Sequence, residues 1–154
     1  MRRHTYVRAL ANLEMTMTTT DFSITAALVP DANRVDFAHA LFGIDFPIRL
    51  EPTVFCMASL LAPRYTGGFW RFYTLSNCGF FMAPESEPFD VVSENGFEGQ
   101  LSAEALGVTA CLYAYSQLSF FNDRLAAVCA EHYHRLREFA IRHPEVRAIL
   151  AACD

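Results

Sequence analysis

The side chains of this chain that could do chemistry occur in patterns that suit little of it. Glu131-His132-Tyr133-His134 places two imidazoles two residues apart. On a helix such side chains point about 200° apart, so they cannot close on one ion, and HExxH spacing is absent. The expectation is His132 against a core and His134 in solvent, with no metal site. Cys78 lies in a polar turn between Asn77 and Gly79. A nucleophilic thiol needs a base or a lowered pKa, and no His lies nearby in sequence. The other cysteines, Cys56, Cys111, Cys129 and Cys153, make no CxxC or CxH pair. They read as reduced thiols, with Cys111 and Cys129 acting as small hydrophobes. Ser102 belongs to no GxSxG or SxxK motif and suits a helix N-cap. Gly67-Gly68 lacks the lysine and the strand-to-helix setting of a phosphate loop. Glu94 and Glu98 flank the Asn95-Gly96 turn, where two carboxylates could approach; a solvated acidic rim is the expectation. No residue is assigned to catalysis, and no cofactor or metal is expected.

Binding is the remaining chemistry, and Tyr65–Ala83 is where it concentrates. Two aromatic runs flank the small polar turn Ser76–Gly79, and the first contains Trp70, the single tryptophan. Aromatic residues fit a pleated, half-buried surface, and Ser, Asn and Gly make turns. The stretch therefore predicts a β-hairpin. A sheet that stacks bases would need basic residues beside the rings; only Arg71 is present and an acidic region follows. Most of the rings are expected in the core. Tyr and Trp with a free polar edge also anchor protein interfaces. Tyr65, Trp70 and Tyr73, with the turn residues Ser76, Asn77, Glu94, Asn95 and Glu98, are the candidate contacts for a protein partner.

The elements that must hold these residues follow from periodicity. A chain of 154 residues with 53% apolar content suits one domain with a sizeable core. Residues 1–25 are expected to be a flexible or extended lead-in, with Met15 or Met17 as alternative starts, although Phe22–Val29 has a weak strand pattern. Pro30 and Asp31 open a helix whose apolar side is Val35, Phe37, Ala38, Leu41 and Phe42, and Gly43 stops it. Ile44–Ile48 reads as a connector and Pro52–Leu61 as a second helix. After the hairpin, Pro84–Pro88 is a turn and Phe89–Glu94 a third strand, which would complete an antiparallel meander. The period then changes. Ser102 caps a helix to about Phe120, Asn122 or Asp123 caps another, and Pro144 starts a short last one. Gly107 costs about 1 kcal/mol inside a helix, which points to close packing there. The expected fold is α+β, a three-stranded antiparallel meander packed with four to five helices in a single domain over residues 26–154.

All twelve basic side chains are Arg, and the net charge is −5. Residues 72–123 contain seven acids and no Arg, which disfavours direct contact with a nucleic-acid backbone. No apolar run is long enough to span a membrane, and no signal-peptide pattern follows the first residues. The expectation is a cytoplasmic protein.

The run from Tyr65-Thr66-Gly67-Gly68-Phe69-Trp70-Arg71-Phe72 through Leu75-Ser76-Asn77-Cys78-Gly79-Phe80-Phe81-Met82-Ala83-Pro84 resembles the signature of the ArdB/KlcA antirestriction family. Leu28-Val29-Pro30 with Arg34, Phe37 and Phe42-Gly43 is similar to the family's opening helix. Asn95–Gly99 with Leu101-Ser102-Ala103, His132-Tyr133, Leu136-Arg137 and His143-Pro144-Glu145 agree in order. Cys78 departs from the pattern, in which glycine is usual. The resemblance implies a small cytosolic protein of plasmids and other mobile elements. It would relieve type I restriction–modification of incoming DNA, without enzymatic activity or a cofactor. Its partner would be the type I complex or an associated host factor. An alternative is an interaction module for another host nuclease or DNA-processing protein. Extensive DNA mimicry is not expected, because one turn of duplex presents about 20 charges.

Overall fold

The computed structural model describes residues 23–154, so most of the expected lead-in, with Met15 and Met17, lies outside them. The order is β1 (Ala26–Leu28), a 3-10 turn (Asp31–Asn33) running into α1 (Arg34–Phe42), a π-helical turn (Phe46–Leu50) running into α2 (Glu51–Leu61), β2 (Trp70–Leu75), β3 (Phe80–Pro84), β4 (Phe89–Val92), β5 (Glu98–Leu101), α3 (Ala103–Ser119), α4 (Arg124–Ala140) and α5 (Val146–Cys153). The class is α+β, with five α-helices and two small antiparallel sheets among the described residues. The segment read as a connector, Ile44–Ile48, instead winds into the π-helical turn that leads α2.

The β2–β3 hairpin forms as its aromatic pattern predicts, with Trp70 opposite Pro84 and Tyr73 opposite Phe81. The third strand of its sheet differs from expectation. Ala26–Leu28 pairs with β2, whereas Phe89–Val92 pairs with Glu98–Leu101 across the Asn95-Gly96 turn. The reason lies on the outer edge of β3, which α3 occupies. Cys111 Sγ accepts from the Met82 N–H at 3.5 Å and its thiol donates to Met82 O at 3.6 Å. The Tyr115 hydroxyl donates to Phe80 O at 2.8 Å. Burial pushes the Cys111 thiol up to about 12, so the proton it donates stays in place. An edge covered by a helix is not free to pair with another strand.

The expected close packing at Gly107 is here too. A Cβ on Gly107 would fall 2.4 Å from Met82 O and 2.5 Å from Ala83 Cα. Only a residue without a side chain lets α3 lie this close to β3.

Rings fill both faces of the hairpin. Phe42 meets Phe80 at 5.5 Å and Phe46 meets Phe72 at 5.4 Å between centroids. On the other face Tyr73 stacks on Phe81 at 4.7 Å, and Phe81 on Phe139 of α4 at 5.5 Å. Helix α1 buries Ala38 and Phe42, but Val35, expected on its apolar side, is 80% exposed. Ser102 caps α3 as predicted, its Oγ accepting from the Ala105 N–H at 3.1 Å, and of the two candidates for the next cap it is Asp123, whose Oδ1 accepts from the Ala126 N–H at 2.9 Å.

His132 is buried and His134 exposed. His132 lies 4.9 Å from the Phe42 ring and 5.7 Å from the Tyr115 ring, and its Nδ1 has no hydrogen-bond partner. Desolvation lowers its pKa from 6.5 to about 4. As pH falls through 6.5 the unfolded chain takes up a proton that the folded chain refuses until about 4, so stability falls across that window. Between pH 7.5 and pH 5 the loss through His132 is about 2 kcal/mol. Urea titrations at the two pH values should show a smaller decline for His132→Phe than for the wild type. Parallel declines would contradict the assignment.

Candidate partner-binding surface

The two polar turns singled out by the sequence are each tied down by an asparagine. At the β2–β3 turn, Asn77 Nδ2 donates to Arg135 O at 2.9 Å and to Glu138 Oε2 at 3.1 Å, both on α4. Its Oδ1 accepts from the Gly79 N–H at 3.1 Å, and Arg135 Nη1 donates to Cys78 O at 3.2 Å. Ser76 exchanges two bonds with Thr25: its hydroxyl accepts from the Thr25 N–H at 2.9 Å, and its own N–H donates to Thr25 O at 2.9 Å. At the β4–β5 turn, Asn95 Nδ2 donates to Ala151 O of α5 at 2.7 Å. Asn95 Oδ1 accepts from the Phe97 N–H at 2.9 Å and from the Ser93 hydroxyl.

Asn77 and Asn95 therefore fix the turns against the C-terminal helices. Sequence reasoning missed this role, because the partners lie 56 to 61 residues away. Asn77→Ala and Asn95→Ala are each expected to cost about 1–2 kcal/mol, read as a lower urea midpoint with an unchanged slope.

Cys78 is an exposed turn residue with φ +66°. That left-handed backbone favours glycine. Cys78→Gly relieves the strain and frees the unfolded chain, for a net gain of about 0.5–1 kcal/mol. A thermal melt checks the direction.

The other candidates divide by exposure. Trp70 is 2% exposed and its Nε1 donates to the Tyr65 hydroxyl at 2.7 Å. It belongs to the core and offers no surface to a partner, contrary to its place among the candidate contacts. Tyr65 and Tyr73 are half-buried, with part of each ring reaching the surface. Burial raises the Tyr73 pKa, so its hydroxyl stays protonated. Ser76, Glu94 and Glu98 are exposed. Glu94 lines a cavity of about 190 Å³ with Met57, Leu60, Val92 and Tyr113.

Several acids of the negative region have partners. Arg71 pairs with Glu85 at 2.5 Å and Arg49 with Asp123 at 2.8 Å. Glu104 accepts from His143 Nε2 at 3.0 Å; the tautomer is set by the Glu145 N–H, which donates to His143 Nδ1 at 3.0 Å. Ser102 gives its hydroxyl to Glu145, and its N–H donates to the same carboxylate at 2.8 Å. Ser102 thus caps α3 and ties that cap to the α4–α5 link. This Glu104–His143–Glu145–Ser102 network joins the start of α3 to the α4–α5 link, and spacing alone does not reveal it.

Comparison with known proteins places this geometry. Residues 63–154 match a family described as antirestriction protein. The antirestriction protein KlcA of Escherichia coli is 42% identical over 142 residues, covering 90% of this chain and 100% of the relative. The YafX protein of Escherichia coli K12 is 42% identical over 141 residues, covering 87% and 90%. A solved structure matches with TM-score 0.80 and 40% identity, covering 90% of this chain and 100% of that one. It comes from work on the KlcA and ArdB proteins described as showing a novel fold and antirestriction activity against type I DNA restriction systems in vivo but not in vitro. The α+β arrangement of two small sheets and five helices is that fold, and the chain belongs to the antirestriction protein family.

Proposed function

We propose that this protein relieves type I restriction of incoming DNA in the cytoplasm, acting on a protein partner and not as an enzyme. The observation that carries the reading is the activity described for the structural neighbour, present in vivo and absent in vitro. Relief that disappears in a purified reaction requires a component the purified reaction lacks. A partner protein, either a host factor or the restriction complex in its cellular state, supplies that component.

The surface supports a protein partner over DNA mimicry. Glu85, Glu104 and Asp123 are bonded within the fold, and a mimic needs about 20 free charges per helical turn. The non-enzymatic reading draws support from two thiols that burial pushes up to about 12, Cys129 and Cys153, which therefore stay protonated. Among the described residues no helix is long and apolar enough to cross a membrane. Tyr65, Tyr73, Ser76, Glu94 and Glu98 are the contacts proposed.

The test is affinity purification of the tagged protein from cells carrying a type I system, with bound proteins identified by mass spectrometry. Restriction subunits or a factor that associates with them is the expected recovery. Reproducible recovery of an unrelated nuclease or DNA-processing protein in their place would favour the second reading.

A further inference from the structure

Arg34, the first residue of α1, is held in a way that the structural roles described so far do not use. Its guanidinium carbon lies 4.3 Å from the centroid of the Phe69 ring and 4.4 Å from that of Phe72. Stacking engages the faces of the guanidinium and leaves its in-plane N–H donors free. Nε is buried without a hydrogen-bond partner. The group borders a cavity of about 270 Å³, also lined by Asp31, His39, Pro47 and Glu51. Glu51 interacts with Arg34 through space, while burial holds its carboxyl above the usual range. Val35, 80% exposed, and the exposed Pro47 line the same cavity, and Phe69, which stacks on the guanidinium, is 46% exposed. An oriented arginine beside exposed apolar side chains is the arrangement of an interface hot spot, where the apolar neighbours exclude water once a partner is seated and strengthen the charged contact.

We propose that Arg34 forms a carboxylate slot that receives an Asp or Glu side chain of the protein partner. The proposal rests on the reading that this protein acts through a protein partner. A planar carboxylate meets the guanidinium fork with two parallel hydrogen bonds. A phosphate dianion fits less well, because Asp31 and Glu51 line the same cavity and Arg34 is its one arginine.

The test has two arms. In the first, the Arg34 Nε–Hε resonance is followed by NMR while sodium acetate or inorganic phosphate is added at constant ionic strength. Acetate should shift the wild-type resonance saturably and should bind several-fold more tightly to Glu51→Gln, which removes a competing carboxylate. A merely structural arginine would show neither effect. No saturable acetate response, or saturation by phosphate at lower concentration than by acetate, would overturn the slot. In the second arm, phage plating compares wild type with Arg34→Lys, which keeps the charge but loses the fork, and Arg34→Met, which keeps only the stem. Relief should fall about tenfold in variants that melt cooperatively. Full relief in folded Arg34→Lys would overturn the proposal. Absence of relief in the wild type would count against the proposed function instead, and the acetate titration would still decide the slot.

Discussion

Replacing Gly107 with alanine is expected to lower the unfolding free energy by about 3 kcal/mol or more. The new Cβ would lie 2.4 Å from Met82 O and 2.5 Å from both Ala83 Cα and Ala83 Cβ. Two of these atoms are backbone, so no side-chain rotation relieves the contact. The helix cannot retreat cheaply, because Cys111 and Tyr115 on the same helix bond to Met82 and Phe80 of the same strand. Separation would leave buried polar groups of β3 unpaired, at about 1–3 kcal/mol for each. A stability of about 5–15 kcal/mol is typical of such a domain, so one methyl group removes a large part of it. Urea unfolding gives the measurement. A Gly107→Ala protein within experimental error of the wild type would mean that α3 does not lie on β3 as described.

Trp70→Ala is expected to cost about 3–5 kcal/mol. Trp70 is 2% exposed and packs 5.3 Å from Phe55 and 5.8 Å from Tyr65, between ring centroids. Its loss opens a cavity between the hairpin and α2 and leaves the Tyr65 hydroxyl without its donor. Trp70→Phe refills part of the space and should cost less. The series separates packing from recognition. Activity should fall in step with cooperative melting. A Trp70→Ala protein that melts like the wild type yet loses its partner would place Trp70 at an interface after all.

Those two residues also show how much the sequence revealed. Gly107 stood out as a costly residue within a clear helical period, and its close contact followed from that cost. Ser102 and Asp123 were legible as caps because capping is local. The hairpin was legible because its rings flank a polar turn. The partner of a strand is not a local property. Phe89–Val92 had the pattern to join the hairpin, but the edge it would have used is closed by Cys111 and Tyr115. The Asn95-Gly96 turn is legible, but Glu98–Leu101 beyond it is not legible as a strand, because Glu98-Gly99-Gln100 lacks the β-branched and aromatic residues that mark one. The candidate site was legible only in outline. Asn77 and Asn95 were correctly placed in turns, but long-range bonds to α4 and α5 gave them a structural role. Trp70 has the residue type of an interface anchor, and only its burial shows otherwise. Arg34 enters the sequence reading only through the resemblance of the opening helix, since the rings that hold it come from Phe69 and Phe72, more than 30 residues later.

The central claim is that this protein relieves type I restriction in cells. The most direct measurement is the plating efficiency of unmodified phage on isogenic hosts with and without a type I system, each with and without the protein expressed. The account predicts a rise in plating only on the restricting host, retained in Cys78→Gly. Equal plating on the restricting host with and without the folded wild-type protein would contradict it.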